Sequence, residues 1–142
     1  MSAFENRVVA TFDTAASPPA LSARDGDLYE HYEAGPLFHA LTGRSWVDVV
    51  RAGGVFSIEE DPLVWTGYLP PEWFLYYLPA MLIGASEGNS ISASNLKGLL
   101  ASMLKPALRG DLEGEGEVAR YVVSHLTDDQ LRLVRDALYD RG

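Results

Sequence analysis

The sequence predicts a mainly α-helical protein that forms a single compact helical domain over residues 1–142, with at most one short strand or hairpin. Apolar residues recur at intervals of three and four along most of the chain, which is the spacing of one helix face. Only residues 55–58 fit a strand, and they are too few and too isolated to build a sheet. A length of 142 residues suits one hydrophobic core, and an apolar content of 47% argues against global disorder.

Short helices and a connector are predicted in the first third of the chain. Residues 4–12 carry an apolar helical stripe that a preceding serine can cap. Residues 13–22 contain two adjacent prolines and predict a surface connector. Residues 27–33 predict about two helical turns, and a second short helix follows the Gly-Pro pair at 35–36 and ends at Gly43.

Caps and prolines mark the next two elements. Ser45 and Asp48 form a capping-box pattern at the start of a short helix that the glycines at 53–54 end. The Asp-Pro pair at 61–62 begins a helical turn that reaches Gly67.

The longest apolar run supplies the central helix. Pro71 suits a first helical position, and apolar side chains follow it at helical intervals. Pro79 removes one backbone hydrogen bond, so we expect this helix to bend or to divide into two pieces. Its apolar residues are Trp73, Phe74, Tyr77, Leu78, Met81 and Leu82.

Three more helices are predicted after a polar loop over residues 84–94. The first includes residues 96–104 and stops before Pro106. The second covers residues 118–126. A Thr-x-x-Gln capping box at 127–130 begins the last helix.

Charge and composition argue against several classes of function. The 20 acidic residues against 11 Lys and Arg give a net charge of −9, which disfavours binding to nucleic acid or to an anionic membrane. The absence of cysteine excludes disulfides, thiolate metal sites and cysteine nucleophiles. Glu5 and Arg7 would interrupt a secretory signal, and the longest apolar run, residues 73–85, falls short of the roughly 20 residues that span a bilayer. We therefore expect a cytoplasmic protein.

Two patterns resemble catalytic sites. Residues 84–88 match G-x-S-x-G, but that motif acts only where a strand turns into a helix above a parallel sheet. Asp27, Glu30 and His31 lie close together, with Asp27 and His31 four residues apart on a predicted helix. No third and fourth ligand is evident. A small enzyme that uses this carboxylate and histidine site, with or without a divalent metal, is the alternative hypothesis.

Unbalanced acidic clusters are the most informative feature. Residues 52–96 contain no lysine or arginine, yet they include the acidic triplet at 59–61. A second cluster lies within residues 25–33, and a third spans residues 111–117. Either these acids only keep a small protein soluble, or they form an acidic surface, flanked by aromatic rings, that meets a basic partner.

Three phrases in the sequence resemble a small bacterial family of unknown function. Residues 43–49, 69–82 and 126–130 are similar, in the same order, to its G-x-x-W-x-D-[LV] phrase, its aromatic-[FY]-Y-L-P-A-[FYM]-L phrase and its closing L-T-x-x-Q helix. The chain departs from the family around residues 31–36, where relatives have a more polar segment. The resemblance implies a mostly helical cytoplasmic domain with no established reaction. Similar small acidic proteins occur beside polymorphic toxin genes, so the resemblance also permits an immunity role.

Together, these features predict a noncatalytic acidic binding protein. We expect a bacterial immunity protein that neutralises a cognate antibacterial toxin by covering its basic active-site groove. Its carboxylates would pair with arginine and lysine in the groove, and an aromatic side chain would supply an apolar anchor. The expected partner is a basic protein, not nucleic acid or membrane, and no cofactor or metal is expected. The predicted partner-binding residues are Asp27, Tyr29, Glu30, Tyr32, Glu33, Glu59, Glu60, Asp61 and Trp65.

Overall fold

A computed structural model describes residues 2–20, 26–87, 90–110 and 116–139, and the chain is helical over most of these ranges. The prediction of a mainly α fold is confirmed. No described helix has both the length and the apolar character that crossing a membrane requires. The helices are α1 Ala3–Thr11, α2 Gly26–Tyr29, α3 Gly35–Leu41, α4 Trp46–Arg51, α5 Pro62–Gly67, α6 Pro71–Ala85, α7 Ile91–Leu108, α8 Glu117–His125 and α9 Asp128–Tyr139, with a 3₁₀ helix at Val55–Ser57.

Helix α6 forms the centre of the core. It packs against α1, α4, α7, α8 and the 3₁₀ helix. Its side chains are apolar nearly all round, so the helix is buried rather than amphipathic. The buried residues of α6 are Trp73, Phe74, Tyr77, Leu78, Pro79, Ala80, Met81, Leu82, Ile83 and Gly84.

Two prolines lie inside helices instead of ending or dividing them. Pro79 sits within a continuous α6, so the expectation of two pieces is wrong. Helix α7 runs past Pro106 to Leu108, so the predicted stop before this proline is also wrong. A proline removes one backbone hydrogen bond, and burial of the neighbouring apolar side chains offsets that loss at both positions.

The predicted strand at residues 55–58 is wrong, because the chain forms the 3₁₀ helix there. Gly53 and Gly54 have φ values of 120° and 91°, which turn the backbone out of α4. The N–H of Ile58 then donates to the carbonyl of Val55 at 3.1 Å. Val55 is fully buried against α6, so packing on this helix, and not pairing with another strand, holds the segment in place.

The predicted caps are confirmed. The Ser45 hydroxyl accepts a hydrogen bond from the N–H of Asp48 at 3.1 Å. In the capping box of α9, the N–H of Thr127 donates to Gln130 Oε1 at 3.0 Å, and the N–H of Gln130 donates to the Thr127 hydroxyl at 3.2 Å. The Gln130 amide also donates to the carbonyl of Thr11 at 3.3 Å, so the same residue ties α9 to α1.

Helix α2 is shorter than predicted and ends at Tyr29. The imidazole Nδ1 of His31 accepts hydrogen bonds from the N–H groups of Glu33 at 3.0 Å and Ala34 at 3.2 Å, which favours a turn over a second helical turn. A Cβ on Gly35 would lie 2.6 Å from the carbonyl oxygen of Tyr29. Glycine therefore lets α3 begin directly against the end of α2.

The close approach of α6 to the 3₁₀ helix gives a stability prediction. A Cβ on Gly84 would lie 2.6 Å from Val55 Cγ2, so we expect Gly84→Ala to destabilise the protein by about 1–3 kcal/mol. The matched control is Gly98→Ala in α7, where nothing lies within 4 Å of the new methyl group. This control should stabilise the protein by about 0.5–1 kcal/mol through helix propensity. Urea denaturation measures both, and equal effects of the two variants would contradict the packing described.

Candidate functional site

Tyr68 joins Glu33 of the first acidic segment to the end of α5, the helix that begins at the second acidic segment, residues 59–61. The Tyr68 hydroxyl donates a hydrogen bond to Glu33 Oε2 at 2.8 Å. This hydrogen bond is the main cause that raises the pKa of Tyr68, and the negative charge of Asp61 adds to the effect. We call the resulting surface the acidic–tyrosine face, which consists of His31, Tyr32, Glu33, Glu59, Glu60, Asp61 and Tyr68.

Glu33 is the carboxylate at the middle of this face. The hydrogen bond from Tyr68 lowers the pKa of Glu33, and Tyr32 and the charge of His31 shift it in the same direction. Reciprocally, hydrogen bonding to Glu33 and its negative charge raise the pKa of the Tyr32 hydroxyl. These tyrosines therefore favour the ionised form of Glu33, and Tyr68 holds one of its oxygens in place.

Aromatic rings are stacked beside this carboxylate. The ring centroid of His31 lies 4.9 Å from that of Tyr32, in a stacked arrangement, and 5.1 Å from that of Tyr68. The imidazole thus contacts both tyrosine rings. Tyr32 is 83% exposed, so its outer surface is available to a partner.

The segment at 59–61 is fixed by hydrogen bonds to the start of α5. Asp61 caps α5, since its Oδ1 accepts from the N–H of Leu63 at 2.9 Å. Glu59 Oε2 accepts from the N–H of Asp61 at 3.0 Å, and the carbonyl of Glu59 accepts from the indole N–H of Trp65 at 2.9 Å. Glu60 lies between them and is exposed. Backbone contacts therefore set the position of this acidic turn.

Trp65 is not an exposed anchor, so this part of the predicted site is wrong. Its side chain is 0% exposed, and its indole N–H is bonded within the protein. The tryptophan supports the acidic turn from beneath. A large aromatic side chain buried in the core with its one polar atom satisfied is the more stable arrangement.

The predicted residues of the first acidic segment are only partly brought together. Tyr29 is half-buried, and its ring centroid lies 3.7 Å from that of His39, so this tyrosine packs on α3. Asp27 and Glu30 are exposed, and no described contact joins them to the turn at 59–61. Tyr68 was not predicted, because a tyrosine just after a short helix carries no sequence signal for a carboxylate 35 positions away.

Ion pairs do not neutralise the predicted carboxylates within the part of the chain that the structure describes. In the described ranges, none of the acidic side chains at residues 27, 30, 33 and 59–61 forms an ion pair. Elsewhere, Asp136 pairs with Arg7 at 2.8 Å and Asp129 with Arg132 at 3.4 Å. The negative charge of the acidic–tyrosine face is therefore available to an external cation. The acidic cluster at 111–117 falls mostly outside the described residues.

The proposed arrangement for the alternative enzyme site is not formed. Because α2 ends at Tyr29, Asp27 and His31 do not lie on one helix face, and His31 Nδ1 binds two backbone N–H groups. Among the described residues, no three histidine or acidic side chains are grouped to hold a metal ion. In the G-x-S-x-G segment, the hydroxyl of Ser86 donates to the carbonyl of Ile83 at 2.6 Å, and the segment's second glycine lies outside the described residues.

The contact between Tyr68 and Glu33 can be tested by its pH dependence. We expect a carboxyl ¹³C NMR titration to give a Glu33 pKa below the usual value for glutamate, and we expect Tyr68→Phe to raise it. Because the folded-state pKa is lowered, the stabilisation from this contact is present above the unfolded-state pKa and is lost as the pH falls through the folded-state value. Tyr121→Phe, on α8, is the control. A Glu33 titration that is the same in Tyr68→Phe as in the wild type would contradict the assignment.

Comparison of the chain with protein families, with curated proteins and with solved structures gives no match in any of the three. The resemblance based on residues 43–49, 69–82 and 126–130 therefore stays a prediction. The site is assigned from the geometry and charge of the chain itself.

Proposed function

We propose that the protein is a noncatalytic binding protein whose acidic–tyrosine face docks on a basic protein. The specific role proposed is that of a bacterial immunity protein that acts in the cytoplasm and covers the basic active-site groove of a cognate toxin. One observation carries the proposal: Tyr68 joins Glu33 to α5, the helix that the acidic turn at 59–61 begins, and the carboxylates of both segments have no ion-pair partner within the described residues.

Charge supports the proposal through the rate of association. Residues 52–96 contain no lysine or arginine, so no basic side chain of this stretch reduces the field of the acidic turn at 59–61. A surface of one charge attracts a partner of opposite charge over about a Debye length and aligns it before contact. This steering raises the association rate and discriminates against acidic partners.

The carboxylates of the acidic–tyrosine face are preorganised, which strengthens a complex with a basic partner. Tyr68 already holds Glu33, and backbone N–H groups already hold Glu59 and Asp61. Less side-chain entropy is then lost when an arginine or lysine binds these carboxylates. The exposed ring of Tyr32 adds an apolar surface on which a guanidinium can stack. Such a combination of carboxylate and tyrosine suits a basic groove better than it suits a nucleic acid.

The direct test is co-expression with the terminal domain encoded by the neighbouring reading frame. We expect cells that produce this domain to survive only when the protein is also produced, and we expect the two proteins to purify as a complex. Cells that survive without the protein, or a neighbouring frame that encodes an ordinary metabolic enzyme, would contradict the immunity role.

Single charge reversals test which surface makes the contact. Glu60→Lys changes an exposed carboxylate of the acidic–tyrosine face that has no structural hydrogen bond, so folding should be unaffected. We expect it to weaken binding to the neighbouring domain by at least about tenfold, mainly through slower association. Glu117→Lys makes the same change of charge at an exposed position on α8 and should alter the dissociation constant by less than about threefold. Surface plasmon resonance measures both rates, and equal losses in the two variants would contradict the assigned face.

A further inference from the structure

A second candidate site, a cavity, lies outside the acidic–tyrosine face. It has a volume of about 680 Å³ and opens between α1, the end of α6, α7 and α9. This volume falls in the range of pockets that hold small organic ligands, about 300–1,000 Å³. Phe4, Leu82 and Leu138 are among its apolar lining residues, and Leu82 and Leu138 also belong to the hydrophobic core.

The charged side chains that line this cavity differ in whether they are free to bind a ligand. Arg7 and Asp136 form an ion pair with each other at 2.8 Å, so each largely satisfies the other. Glu87 is exposed and also lines the cavity, and one of its carboxylate oxygens lies toward the turn after α4, 3.8 Å from the position that a Cβ on Gly54 would take. Lys97 is half-buried and forms no ion pair within the described residues.

Lys97 therefore places an unpaired cation beside the apolar part of a cavity whose lining is both polar and apolar. The ammonium group supplies a positive charge in a protein with a net charge of −9. Its aliphatic stem can cover apolar surface while its charged end faces water or a ligand. Ser94, one helical turn before Lys97, also lines the cavity and is exposed, so its hydroxyl adds a second hydrogen-bond donor.

We propose that this cavity binds a small organic anion with an apolar body, and that Lys97 holds the anionic group. The apolar part of the ligand would rest on Phe4, Ala85 and Ala137, the apolar lining residues that keep exposed surface, and its negative group would lie toward Lys97 and Ser94. Lysine acts as a point charge and does not select one geometry, so a carboxylate, a sulfonate or a phosphate satisfies it equally. This proposal is independent of the proposed function, since the cavity and the acidic–tyrosine face share no residue.

A pair of fluorescent probes tests the proposal in the folded protein. The anionic probe is 8-anilinonaphthalene-1-sulfonate, and the neutral probe is N-phenyl-1-naphthylamine, which has the same rings without the sulfonate. We expect the wild type to bind the anionic probe in a 1:1 complex, more tightly than the neutral one. Lys97→Met should weaken binding of the anionic probe by about tenfold, the usual effect of one charge-assisted hydrogen bond, and should leave the neutral probe unchanged within about twofold.

Two further variants separate the cavity from nonspecific binding. Lys105→Met makes the same change on the same helix but outside the cavity, where the lysine ammonium lies 4.7 Å from the ring centroid of Tyr139. It should leave the affinity for both probes unchanged. Ser94→Phe fills the cavity from an exposed position and should weaken binding of both probes. Binding of the anionic probe that is unchanged by Lys97→Met, or weakened equally by Lys105→Met, would overturn the proposal. Thermal unfolding of each variant confirms that the cavity is tested in the folded state.

Discussion

The burial of most of α6, ten of its fifteen residues, determines how the other helices are arranged. A helix that is apolar on nearly every face must be surrounded, so the other helices are arranged to cover it. Its one buried hydroxyl, on Tyr77, must also find an acceptor, and it lies 2.9 Å from the carbonyl of Leu41 and 2.5 Å from that of Arg44. Burial raises the pKa of Tyr77, which keeps this donor protonated. The corner between α3 and α4 is thereby held against the core.

This constraint positions the candidate site through two routes. Phe38 of α3 packs on Trp73 of α6, with ring centroids 4.9 Å apart, and Gly35 lets the end of α2 lie directly against α3. The turn that carries His31, Tyr32 and Glu33 is therefore attached to the core at both of its ends. The acidic turn at 59–61 is attached separately, through the buried indole of Trp65. The charged side chains are consequently displayed from short segments on a rigid support, which lowers the entropy lost on binding.

Helix existence and type could be predicted from the sequence because they depend on local patterns. Each such pattern involves only a few adjacent residues, as in the capping box at 127–130 and the apolar spacing after Pro71. The errors at Pro79, at Pro106 and in the strand at 55–58 have a different origin, since tertiary burial there outweighs a local preference. The acidic segments could be found by counting charges, but the hydrogen bond between Tyr68 and Glu33 is a long-range contact, and no local pattern encodes it. The prediction that Trp65 binds a partner was wrong because its side chain is buried in the core, and no local pattern encodes that burial.

Because Tyr68 joins Glu33 to α5, we expect residues 31–33 and 59–68 to act as one binding surface. Hydrogen–deuterium exchange of the complex formed with the neighbouring domain tests this claim most directly. We expect amide exchange to slow in both segments together on binding, while amides of α8 and α9 exchange at the rates of the free protein. Protection confined to one of the two segments, or located instead on α8 and α9, would contradict it.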